Sequence, residues 1–197
     1  MAGSRYHFYM IYKPFGVLSQ FTDPVGGKRT LGELYDFPPR VYPVGRLDED
    51  SEGLLILTDD PRANSRLLGQ GVEKEYLVQV EGDPDDGALA PLREGIEIRI
   101  RKKKFRTLPA GAELVQGEPE LPDRDPPIRF RKSVPDTWIS LVLREGKNRQ
   151  VRKMTAKIGF PTLRLVRVRL GKLRIGSLGV GEVKDLSLEW DWTWFQD

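Results

Sequence analysis

Cysteine is absent from the 197 residues of the chain, and histidine occurs once, at His7. Without thiols the chain can build no disulfide scaffold, thiolate zinc site, iron–sulfur cluster or cysteine nucleophile. With a single histidine, multi-histidine metal sites and most histidine-based acid–base chemistry are set aside. Long apolar runs are missing as well. None approaches the ~20 residues of a membrane span, and the N-terminus carries no signal-peptide hydrophobic region. The phosphate cradles GxGxxG and GxxxxGK[ST] do not occur, nor does the acid spacing of a calcium loop. These absences lead to the expectation of a soluble cytoplasmic protein with no membrane partner. Its chemistry would rest on carboxylates, Lys, Arg, Tyr and Ser.

Charge is nearly balanced, with 32 basic and 29 acidic residues for a net +3. Its distribution is uneven. Between Arg144 and Arg174 stand eleven Lys or Arg against one acid, Glu145, and the stretch from Arg99 to Arg106 holds six more, Lys102, Lys103 and Lys104 among them. Acids gather elsewhere, at Asp48 to Asp50, Asp83 to Asp86 and after Glu182. Segregated positive charge suits a polyanion, because phosphates attract clustered Lys and Arg and release counterions on binding. A lysine-protected edge strand or a solvated face is the competing account of the triple lysine. The two clusters together favour nucleic acid.

Hydropathy and turn residues predict an α+β fold on a mixed, largely antiparallel sheet with flanking helices. Strands are predicted at Tyr6 to Tyr12, Leu54 to Thr58, Glu75 to Val80, Ile96 to Ile100, Trp138 to Leu143 and Leu163 to Leu173, with a last one over Trp190 to Trp194. Asp60 and Pro61 predict a helix start, the helix running through Leu68 and closing at Gly71. A short helix is expected over Asp86 to Leu92. Asn148 is the expected cap of another that runs to about Ile158, with Val151, Met154 and Ile158 on one face. The proline-rich stretch from Gly117 to Pro135 reads as a functional loop. At ~100–200 residues per domain, the length fits one large domain or two small ones.

The polar loop from Gly45 to Gly53 lies between two strand-like segments, where a scaffold can hold a side chain in a cleft. Asp48 there could act as nucleophile or base, and Arg46 could orient it or bind phosphate. A plain turn, with Asp48 and Asp50 bonded to nearby amides, is the alternative.

Read whole, the segment GRLDEDSEGLLILTDD (45–60) resembles the signature of the RsuA-type pseudouridine synthases, with Ser51 where Thr is usual. Three further motifs occur in that family's order: Lys13-Pro14-Phe15-Gly16, Lys74-Glu75-Tyr76, and EGKNRQVRKM (145–154), the match continuing through GFPTLRLVR (159–167). The resemblance implies a single catalytic domain, with sub-lobes at roughly 1–72 plus the C-terminal strands and 73–160, and a catalytic cleft in which Asp48 is the reactive carboxylate, Tyr76 stacks on the target base and Arg152 pairs with Asp48. It further implies isomerisation of uridine to pseudouridine with no cofactor and no metal, the target base being flipped from its stack. The family motifs start close to the first residue, and the S4-like domain of many members is not expected. That, with the loop at 124–133, resembles the E-type subgroup acting on large-subunit (23S) rRNA, whether a stem-loop or an assembly intermediate. Lys13, Arg46, Lys102, Lys103, Lys104, Lys147, Asn148, Arg149 and Lys153 are then the expected RNA contacts. His7 and the four tryptophans are expected to be structural, and the chain a monomer. A non-catalytic ribosome-assembly factor on the same fold is the rival, and a synthase acting on a different RNA is a second alternative.

Overall fold

The structure, a computed structural model, describes residues 6–69, 71–128 and 134–196. Its elements in chain order are strands β1 (Phe8–Lys13), β2 (Val17–Leu18), β3 (Arg29–Thr30), β4 (Tyr42–Pro43) and β5 (Glu52–Thr58), then helix α1 (Ala63–Leu68). Next come β6 (Lys74–Glu81), α2 (Ala90–Glu94), β7 (Glu97–Ile100), β8 (Lys103–Arg106), β9 (Gly111–Leu114) and β10 (Asp136–Leu143). Helix α3 (Gln150–Lys157), β11 (Thr162–Leu170), β12 (Leu173–Arg174) and β13 (Val183–Asp185) complete the set, with short 3-10 turns at Leu31–Glu33, Gly87–Leu89 and Trp192–Phe195. The result is an α+β fold, mostly antiparallel and with few helices.

The chain divides into two compact units, one of residues 1–72 and 167–197 and one of residues 73–166. In the first unit β1 lies between β13 and β5, antiparallel to both, with Lys13 opposite Gly53 and Tyr9 opposite Asp185. β4 pairs antiparallel with β5, and β2 with β3 in parallel. Every residue of β1 and β5 is buried. That is why β5 reads as a continuous apolar run: a strand covered on both faces has no solvent side to alternate with. Each of Leu54, Leu55, Ile56 and Leu57, fully buried, contributes ~1.5–3 kcal/mol relative to exposure.

In the second unit β10 pairs antiparallel with β6 and β9, Tyr76 facing Leu141 across the first of these ladders. β6 alternates buried and half-buried residues, the period of a strand with one dry face. β7 and β8 form a separate antiparallel hairpin.

The structure departs from the sequence expectations at several ends. α1 begins at Ala63, with Asp60 accepting from the Arg62 amide just before it, and runs to Leu68 as expected, with Gly69 rather than Gly71 at its cap. The helix expected over Asp86 to Leu92 is split, a 3-10 turn followed by α2. The last predicted strand is instead the 3-10 turn Trp192–Phe195. Trp190 stacks on Phe8 with ring centroids 3.9 Å apart and meets Trp192, Trp194 and Phe195, a packing of large rings that a strand alternating its faces would not give. Of the proline-rich loop, residues 129–133 lie outside those described. The described part from 117 to 128 carries no helix or strand.

Candidate active site

Asp48 occupies the loop that feeds β5 in the first unit, half-buried rather than solvent-stranded. The loop is held by backbone and side-chain bonds that the sequence pattern does not reveal. The Ser19 hydroxyl accepts from the Leu47 amide at 3.1 Å and donates to the Leu47 carbonyl at 2.8 Å, fixing both polar groups of the residue before Asp48. The Gly16 amide donates to the Glu49 carbonyl at 2.8 Å, which ties the 13–16 turn to the residue after it. The Ser51 amide closes the loop onto the Asp48 carbonyl at 3.0 Å. These bonds fix the backbone on both sides of Asp48, as a site that must hold a side chain in one place requires.

Lys13 lies inside this scaffold. It is 0% exposed, and its ammonium donates to the carbonyls of Pro14 and Val17, each at 2.7 Å. Burial pushes its pKa from the ordinary 10.5 down to about 8, against the opposing pull of Glu52, Asp50, Glu49 and Asp48. The unfolded chain therefore holds a proton on Lys13 that the folded chain has released between about pH 8 and 10.5, so this group makes stability rise with pH across that window. Lys13→Met removes that rise, worth up to ~3 kcal/mol. Urea unfolding of both proteins from pH 7 to 10.5 checks it, and parallel stability curves would rule it out.

The second unit carries the other motifs. Tyr76 projects from β6 onto its buried face. Arg152 is on α3, with Nη1 3.3 Å from the Thr162 carbonyl. The turn entering α3 is fixed by Gln150, 3% exposed, whose side-chain oxygen accepts from the Lys147 amide at 2.9 Å. Its Nε2 donates to Glu145 at 2.7 Å, and the same Glu145 oxygen accepts from the Leu108 amide at 2.9 Å. One carboxylate thus joins the 145–150 turn to the segment leaving the basic hairpin β7–β8. The Lys147 ammonium sits over the Phe105 ring of that hairpin at 5.3 Å, a second link. Arg101 and Lys102 take left-handed backbone conformations at its tip, with φ of 46° and 69°. Lys102, Lys103 and Lys104 are exposed there, Lys104 pairing with Glu97 at 3.1 Å.

The pattern of the RNA pseudouridylate synthase family matches residues 7–157. The chain belongs to that family. It is 49% identical over 180 residues to a ribosomal large subunit pseudouridine synthase E of Vibrio vulnificus, covering 89% of this chain and 73% of that protein. The synthase of the same name from Xanthomonas campestris is 49% identical over 176 residues, covering 88% of this chain and 91% of that one. A pseudouridylate synthase crystal structure superposes with a TM-score of 0.75 at 27% identity, covering 94% of this chain and 72% of that one.

Within this synthase fold the expected residues fall in both units, Asp48 and Arg46 in the first, Tyr76 and Arg152 in the second. Arg46 is exposed, and its Nη2 donates to Gln20 at 3.1 Å. Lys147, Asn148 and Arg149 are exposed, and Lys153 donates to the Asn148 carbonyl at 2.7 Å. Asn148 does not cap α3. Arg149 occupies the cap position with φ 51°, and Asn148 Oδ1 lies 3.3 Å from the Lys153 ammonium. Lys13 is corrected from an RNA contact to a buried strut, since an ammonium bonded to two carbonyls inside the protein meets no phosphate. Ser19, Glu145 and Gln150 were missed as positioning residues. Glu145 and Gln150 lie in a quoted motif, but for Ser19 no spacing signal exists. His7 Nδ1 lies 2.9 Å from an Asp59 carboxylate oxygen at the surface.

Proposed function

We propose that the chain isomerises a uridine of 23S rRNA to pseudouridine in the cytoplasm, acting as a monomer, with both units forming one catalytic domain. The family match over residues 7–157, with Asp48 on a loop fastened on both sides, is the observation that carries this reading. The two relatives named for the large ribosomal subunit support rRNA as the substrate. In the reaction the N1–C1′ bond of the nucleoside breaks, the uracil turns, and a C5–C1′ bond forms. The C5 proton is lost and N1 gains one, so the sum is unchanged and no redox partner is consumed. Three routes are open: attack of Asp48 on C1′, its attack on C6 of the base, or removal of the C2′ proton to give a glycal-like intermediate. All three need Asp48 ionised against the sugar or the base. Arg152 would favour that ionised form by its charge, and Tyr76 would stack on the flipped base.

Carbodiimide mapping of 23S rRNA from cells with and without the gene tests the reading. One pseudouridine should vanish with the gene and return with the purified protein, and an unchanged map would refute it. The basic hairpin supplies a second test. Replacing Lys102, Lys103 and Lys104 by Gln should flatten the dependence of rRNA affinity on salt, the slope falling by ~0.7 for each phosphate no longer neutralised. An unchanged slope would return those lysines to the solvated-face account.

A further inference from the structure

Between β2 and β3 the chain runs through residues 19–28 without helix or strand, and this connection reaches the Asp48 loop on both sides. Before Asp48, the buried Ser19 hydroxyl holds both backbone polar groups of Leu47, and the Gln20 side-chain oxygen accepts from Arg46 Nη2 at 3.1 Å. After Asp48, the Lys28 ammonium pairs with the Glu49 carboxylate. Among the described residues, every hydrogen bond or ion pair that a side chain of 19–28 makes beyond the segment thus ends on Arg46, Leu47 or Glu49.

The connection is itself braced. β2 and β3 pair in parallel, Val17 beside Arg29 and Leu18 beside Thr30, which brings its two ends together. The Leu31 amide donates to the Gln20 carbonyl at 3.0 Å, and Gln20 Nε2 donates to the Thr22 carbonyl at 2.6 Å. Asp23 accepts from the amides of Val25 and Lys28 at 3.1 and 2.9 Å, which fixes the backbone from which the Lys28 side chain reaches Glu49. Side chains that serve only to close a surface loop would bond within it. These leave it, and they converge on the neighbours of one carboxylate. Holding a reacting group through locked neighbours is how a scaffold sets its position to a fraction of an ångström.

We infer that residues 19–28 are a positioning element for the reaction: Ser19 and Lys28, both outside the family motifs, fix the backbone on either side of Asp48 and so set the rate of isomerisation and not the affinity for RNA. This rests on the function proposed above and adds which residues beyond the motifs govern its rate. Single-turnover pseudouridine formation on transcribed 23S rRNA, with the full chain in saturating excess, reads the rate in the bound complex. Filter binding reads the affinity, and both are measured where thermal melts show each variant folded. Ser19→Ala removes both bonds to Leu47 and should slow the rate roughly 10- to 100-fold, as for a displacement approaching ~1 Å, with Kd within about twofold of native. Ser19→Thr keeps the hydroxyl and should recover most of the rate. Lys28→Met, at an exposed position whose loss leaves the fold intact, should slow the rate by roughly two- to fivefold, the worth of one exposed ion pair. Lys28→Arg should restore it.

A native rate in folded Ser19→Ala or in Lys28→Met overturns the inference while leaving the isomerase reading intact. A Kd that rises as far as the rate falls overturns it too, since the segment would then be an RNA contact. So does a Thr variant that folds and is as slow as Ala. Should Ser19→Ala not fold, the two Lys28 variants decide alone. Failure of the native chain itself to form pseudouridine in 23S rRNA is a different result, which refutes the function proposed above.

Discussion

Asp48→Asn should lower pseudouridine formation by at least about a thousandfold, ~4 kcal/mol of barrier, while rRNA affinity stays near native. The two side chains have the same shape, and the bonds at Leu47, Glu49 and Ser51 are made by backbone groups that the substitution keeps. What changes is charge. An amide can neither form a stable covalent bond to C1′ or C6 nor take a proton from C2′, so every open route is closed at its first step. Tritium release from rRNA carrying 5-tritiated uridine reads the rate, and filter binding reads the affinity. Normal turnover by the variant would remove Asp48 from the chemistry, and with it the proposed mechanism. Joint loss of binding and turnover would instead point to a collapsed loop.

Which parts of this site were legible in the sequence follows from which forces are local. β5 was readable because burial on both faces selects an unbroken apolar run, and β6 because one dry face selects alternation. The entry to α3 was misread for an equally physical reason. Asn is a favoured cap when its side chain is free to bond the first turn, but here the Lys153 ammonium lies against it and Gln150 ties down the Lys147 amide instead. The alternating C-terminal tryptophans read as a strand, yet ring stacking on Phe8, far away in the sequence, sets their backbone. Lys13 illustrates the limit most plainly. A lysine at the end of an aromatic run is assigned to the surface by type, and only the carbonyls of Pro14 and Val17, folded around it, show an inside position. Asp48 was legible as a loop acid from physics, but the chemical role proposed for it came from the ordered motifs.

Gly53→Ala should be the most damaging of the small substitutions, lowering stability by about 3–5 kcal/mol, near the upper limit for a single change. Two effects combine. Gly53 sits at φ +103°, where an L side chain is strained. An added methyl would also stand 2.3 Å from the Arg167 carbonyl oxygen and 2.8 Å from its nitrogen. Those are backbone atoms, so no rotamer relieves the overlap and the two chain segments must part. Parting them pulls on the bond from Arg167 Nε to the Leu54 carbonyl, 2.8 Å long and buried. It also disturbs the ladder position opposite Lys13. For a chain of this size the melting temperature should fall by roughly 10 °C or more. Gly16→Ala is the control, because Gly16 has a similarly positive φ, +75°, but open space where its methyl would go. It should show only the strain, ~1–2 kcal/mol. The difference between the two variants in thermal melts isolates the overlap, and equal losses would mean that strain alone explains the glycine at 53. Because Gly53 is five residues from Asp48, a displacement of about 1 Å there should carry into the rate by up to ~100-fold even in the fraction that folds.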